Sequence, residues 1–137
     1  METHFTESEV VFQMREADDQ GDIIASGYGR AVPYDTPTKL GAVSEQFARD
    51  AFDPDEVLGK PLAYRHGEPI GRITGAENRE DGLYIDFEIV NTAAGRDAAV
   101  LARTGSSKGL SVGFEPITST WNKTRDAVKH LKAGLFE

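Results

Sequence analysis

Leu83-Tyr84-Ile85-Asp86-Phe87-Glu88-Ile89 alternates inward-facing apolar positions with more polar ones, and a period of two is the mark of a strand with one buried face. The polar run Glu77-Asn78-Arg79-Glu80-Asp81-Gly82 just before it has turn chemistry, and Pro69 to Thr74 reads as another strand upstream of that turn. Further upstream, Val57 to Tyr64 reads as a strand that delivers Arg65-His66-Gly67-Glu68. Val10 to Arg15 and Ile23 to Val32, rich in β-branched and aromatic residues and separated by Ala17-Asp18-Asp19-Gln20-Gly21-Asp22, predict an opening hairpin. Between hairpin and strand, the spacing of Val43, Phe47, Ala48 and Phe52 predicts a short helix after a Ser44 cap.

Downstream of Ile89, Asn91 or Thr92 caps a predicted helix that runs through Leu101 and Ala102, with Gly105 as its stop. Lys108 to Pro116 is then a strand carrying Ser111. Trp121 to Arg125 reads as a turn leading into Ala127-Val128-Lys129-His130-Leu131 and a last Leu135-Phe136-Glu137. Many short strands with two short helices predict an α+β, mainly β fold: a closed or nearly closed, antiparallel-rich β-barrel flanked by helices.

The 137 residues fit one domain over 1–137, a size that hides roughly two-thirds of the unfolded surface without needing disulfides or metals. There is no cysteine, which excludes thiolate zinc sites and cysteine nucleophiles and fits a reducing compartment. A net charge of −8 argues against a nucleic-acid partner, because phosphate binding requires clustered Lys and Arg. The acidic run of Glu2, Glu7, Glu9, Glu16, Asp18, Asp19 and Asp22 against Arg15 alone is read as a solvated surface. The N-terminus has neither a basic start nor an apolar run, and no stretch is long enough to span a bilayer, so a cytosolic protein with no membrane partner is expected.

Without cysteine, nucleophilic chemistry falls to an oxygen, and a serine hydroxyl needs a base such as histidine to take its proton. Of the three histidines, His4 lies in the N-terminal segment, His130 near the C-terminus, and His66 just after a predicted strand, the best position for a base. Ser111 stands between Gly109 and Gly113, which let backbone approach a substrate closely and leave the Val112 and Gly113 N–H groups as candidate oxyanion donors. The same residues also read as a plain strand serine with glycines placed for a bulge, since the Gly-x-Ser-x-Gly elbow is absent. Asp53-Pro54-Asp55-Glu56 lacks ordered ligand spacing and is read as an acidic turn, and Arg65 and Arg72 as surface or ion-pair residues.

Taken together, Tyr64-Arg65-His66-Gly67-Glu68-Pro69-Ile70-Gly71-Arg72, Asp81-Gly82-Leu83 and Lys108-Gly109-Leu110-Ser111-Val112-Gly113-Phe114 resemble the prohead maturation proteases of tailed bacteriophages. The segment from Glu45 to Phe52, with its acid and closing Ala51-Phe52, is similar to another block of that family, so the resemblance runs from about residue 23 to the end. It implies a serine endopeptidase with a barrel like that of the herpesvirus assemblins. It also implies major capsid protein or scaffold as substrate and partner, capacity for self-association, and a place in the host bacterial cytoplasm inside the assembling procapsid. No cofactor or metal is expected.

By the same resemblance His66 is the catalytic histidine and Ser111 the nucleophile. Leu135-Phe136-Glu137 matches the first half of the family's acidic segment, making Glu137 the third member. The strand that follows in the family is absent here, so the domain is expected to lack a final C-terminal strand. His130 is the second candidate for the third position, because the herpesvirus enzymes use a second histidine there. Otherwise it reads as an exposed residue between lysines. Two rival readings stand: a non-catalytic capsid-assembly module that binds scaffold or shell protein, and a general esterase or amidase.

Overall fold

The computed structural model describes residues 4–8, 12–16, 21–40, 42–64, 68–104, 110–125 and 127–135. The chain is mainly β, and the strands among these residues fall into two five-stranded sheets. In chain order they are β1 (His4–Ser8), β2 (Phe12–Glu16), β3 (Ile23–Pro33), β4 (Thr38–Leu40) and β5 (Val43–Phe47). After helix α1 (Pro54–Val57) come β6 (Pro61–Tyr64), β7 (Glu68–Arg79) and β8 (Gly82–Val90). Helix α2 (Ala93–Arg103) then leads to β9 (Leu110–Trp121) and β10 (Ala127–Leu135).

One sheet has the order β2-β3-β8-β7-β6, and β8 is its centre as the alternation predicts: Leu83, Ile85, Phe87 and Ile89 are buried, with Tyr84, Asp86 and Glu88 on the other face. The opening hairpin forms as expected, β2 running antiparallel to β3 with Phe12 opposite Gly29 and Glu16 opposite Ala25. The other sheet has the order β1-β9-β10-β5-β4. Among the described residues a parallel bridge, Tyr34 with Phe47, joins the two sheets, and the Asp35 N–H donates to the Phe47 carbonyl across 2.7 Å. The two sheets also approach where β3 lies against β1 and β9. The mainly β, antiparallel-rich character is as expected, and among the described residues the ladders trace two sheets and no closed barrel.

The helix expected over 43–52 is not there. Val43 to Phe47 form β5, parallel to β10, with Glu45 and Phe47 buried on one face at a period of two. The four-residue steps from Val43 to Phe47 and from Ala48 to Phe52 fit a helix equally well on paper; pairing with a strand more than 80 residues away decides otherwise. Ala51 and Phe52 follow in irregular backbone that is nevertheless anchored. The Ala51 carbonyl accepts from the Ala133 N–H at 2.8 Å, and the Phe52 carbonyl from Asn78 Nδ2 at 2.9 Å. Asn78 Oδ1 accepts in turn from the Tyr34 hydroxyl at 2.5 Å, and burial pushes that phenol's pKa upward so that it stays a donor. Phe52, Val32, Val57, Leu83 and Phe87 are the most enclosed side chains of the core.

Asp53-Pro54-Asp55-Glu56 opens α1. The Asp53 carboxylate caps the Asp55 N–H at 3.0 Å, with Pro54 starting the helix, and among the described residues no group of three or more acidic, His or Cys side chains could hold a metal ion. Helix α2 starts where its cap predicts: Thr92 Oγ1 accepts from the Gly95 N–H at 3.0 Å. Thr92→Ala leaves the N–H of buried Gly95 without this acceptor and should cost about 1 kcal/mol in urea unfolding. A loss below about 0.3 kcal/mol would show that packing alone holds this helix end.

Candidate active site

Helix α2 packs on β6, β7 and β8, the first two of which flank His66 in sequence, and precedes β9, the strand that carries Ser111. Ser111 is the second residue of β9 and lies opposite Glu7 of β1, with Val112 opposite Thr6 and Gly113 opposite Phe5. On the other side of β9 the described ladder with β10 ends at Phe114 opposite Leu135. β6 and β7 are antiparallel and close at Tyr64 opposite Glu68. The residues joining them, Arg65, His66 and Gly67, lie outside the described residues, as does Glu137.

The motif segments between these ends are structural. Gly71 of Pro69-Ile70-Gly71 sits where a Cβ would stand 1.8 Å from the Glu88 carbonyl oxygen, so only glycine lets β7 approach β8 there. Gly82 of Asp81-Gly82-Leu83 faces the Val32 carbonyl, which a Cβ would meet at 2.4 Å. Asp81 pins the same turn: its carboxylate accepts from the Tyr84 hydroxyl at 2.8 Å and from Arg30 at 3.2 Å. The Tyr84 bond first, with Arg30 also contributing, holds the Asp81 carboxyl below the usual carboxylate range.

His130 is the sharpest departure from the sequence reading, which placed it exposed among lysines. It is 3% exposed. Alternation explains the misreading: Val128 and His130 point into the protein while Lys129 takes the opposite face and pairs with Asp35 at 2.8 Å. The imidazole is gripped at both ends, Nε2 by Glu45 Oε2 at 2.8 Å and Nδ1 by Ser119 Oγ at 2.7 Å, with the Phe47 ring 5.3 Å from it. Glu45 is itself 6% exposed, and with its carboxylate accepting from Nε2–H, Nδ1 is left to accept from the serine hydroxyl. A hydroxyl, an imidazole and a carboxylate thus stand in line across β9, β10 and β5.

Sequence reasoning missed Ser119 altogether and noted the acid of the Glu45–Phe52 segment without a partner or a role. A usable signal existed: read as a strand, Val43-Ser44-Glu45-Gln46-Phe47 puts a carboxylate between two apolar residues on one face, and a buried carboxylate demands a partner. His130 also stands well away from Ser111, because its partner Ser119 is eight residues further along β9, roughly 26 Å of extended strand.

A family model described as Caudovirus prohead serine protease matches residues 10–137. Among solved structures, the capsid assembly protease gp21 of bacteriophage T4 aligns with a TM-score of 0.56 at 10% identity, covering 98% of this chain and 94% of that one, which establishes a shared fold. No curated protein matches.

Proposed function

The chain belongs to the caudovirus prohead serine protease family, and on that premise we propose that Ser111 is its nucleophile, His66 its general base and Glu137 the acid that orients the base. His66 takes the Ser111 proton as Oγ attacks the scissile carbonyl, and backbone N–H groups of Val112 and Gly113 stabilise the oxyanion. The resulting acyl-enzyme is hydrolysed by water that His66 activates in turn. The substrates we propose are scaffold protein, capsid-protein extensions, or both, cut inside the assembling procapsid of the host cell.

The observation that supports Glu137 over His130 is the β9/β10 register. Leu135, two residues before Glu137, lies opposite Phe114, three residues from Ser111, whereas His130 is committed to Ser119 and Glu45 at the far end of the same strand. Peptide mapping after treatment with a fluorophosphonate tests the reading. A phosphonyl adduct on Ser111 that is lost in His66→Ala supports it. Absence of any Ser111 adduct from a folded chain that still binds capsid or scaffold protein favours the non-catalytic assembly module instead.

A further inference from the structure

We infer that Ser119, backed by His130 and Glu45, is a second activated serine, acylated or phosphonylated by small activated esters independently of Ser111. A reactive serine needs a base within hydrogen-bond reach and a third group that fixes the base, and both contacts here are short: 2.7 Å from Ser119 Oγ to Nδ1 and 2.8 Å from Nε2 to Glu45. Burial of the imidazole and the carboxylate removes the water that would otherwise weaken both bonds.

The serine as a residue is only partly buried, unlike the imidazole and the carboxylate behind it, and Thr120 and Trp121 next to it are exposed. Two residues along β9, on the same face, stands Trp121, opposite Val128 as Ser119 is opposite His130. Trp121 is 45% exposed, with the Arg125 guanidinium 5.7 Å from the centre of its ring. An exposed indole beside a reactive hydroxyl offers a stacking surface to an aryl ester, the substrate class we assign. Just beyond His130 the β9/β10 ladder carries a bulge: Leu131 is an extra residue between the pairs His130–Ser119 and Lys132–Thr118. Bulges of this kind re-aim side chains beside active sites.

With a fluorophosphonate, Ser119 Oγ attacks phosphorus, the O–P bond forms as the P–F bond breaks, and fluoride leaves. The hydroxyl proton passes to His130 Nδ1, and Glu45 stabilises the imidazolium. With p-nitrophenyl acetate the same attack forms an acetyl ester on Ser119 and releases p-nitrophenolate.

The test uses the full chain carrying Ser111→Ala, so its outcome does not depend on the proposed role of Ser111. Intact-mass and peptide mapping should find one adduct, on Ser119, formed about 100-fold faster than on Ser26 or Ser44 in the same digest. Adding Ser119→Ala should remove it, and adding His130→Gln should slow it by a similar factor. Should His130→Gln not fold, Glu45→Gln serves, with at least tenfold slowing expected. A Ser119 no more reactive than Ser26, or a rate unmoved by His130→Gln or Glu45→Gln in a folded chain, overturns the inference.

Discussion

Ser111→Ala should end processing of capsid or scaffold protein in co-expression, with a loss on the order of 10³- to 10⁶-fold, while urea unfolding stays within about 0.5 kcal/mol of wild type. Both halves matter. Ser111 lies in a strand paired on the β1 side through Glu7 and bounded on the β10 side by the Phe114–Leu135 pair, so removing one hydroxyl leaves the ladders untouched. If Oγ forms the acyl-enzyme, its loss removes the covalent route and leaves only what binding and oxyanion donors contribute. His66→Ala should fall as far, because members of a relay act as a unit and their losses do not add. The double variant is then no slower than either single one. Processing that survives Ser111→Ala unchanged would sink the mechanism. Ser119→Ala in an otherwise unaltered chain should process substrate normally, since its hydroxyl stands roughly 26 Å along the strand from Ser111.

The elements legible in the sequence were those whose cause is local. β8 follows from an alternation confined to nine residues, and α2 from one cap and one apolar face. β5 and the burial of His130 were not legible because their cause is distant. Glu45 and His130 stand 85 residues apart in sequence and meet only when β5 pairs in parallel with β10. Nothing near either residue announces the other, and the neighbouring lysines pointed the reading outward. The linked motifs were read as a catalytic signature, yet their interior positions, Gly71 and Gly82, are places where two backbones touch. Such a motif records packing as well as chemistry.

Gly71→Val should therefore be among the most destabilising single substitutions in the chain, costing about 3 kcal/mol or more. A Cβ at this position stands 1.8 Å from the Glu88 carbonyl oxygen and 2.9 Å from its carbon, and neither belongs to a side chain that could swing away. Relief requires β7 to separate from β8 where Gly71 pairs with Ile89 and, on its other edge, with Leu62 of β6. That separation would loosen the sheet at the foot of the β6–β7 connection carrying His66. Even Gly71→Ala adds the offending atom, so most of the loss should appear with alanine and little more with valine. Gly21→Ala is the control: its added atom lies 3.9 Å from the Ile23 nitrogen, and the change should stay within about 0.5 kcal/mol. Urea midpoints for the three variants check this, and a Gly71→Ala midpoint equal to that of Gly21→Ala would show that β7 and β8 have room to part.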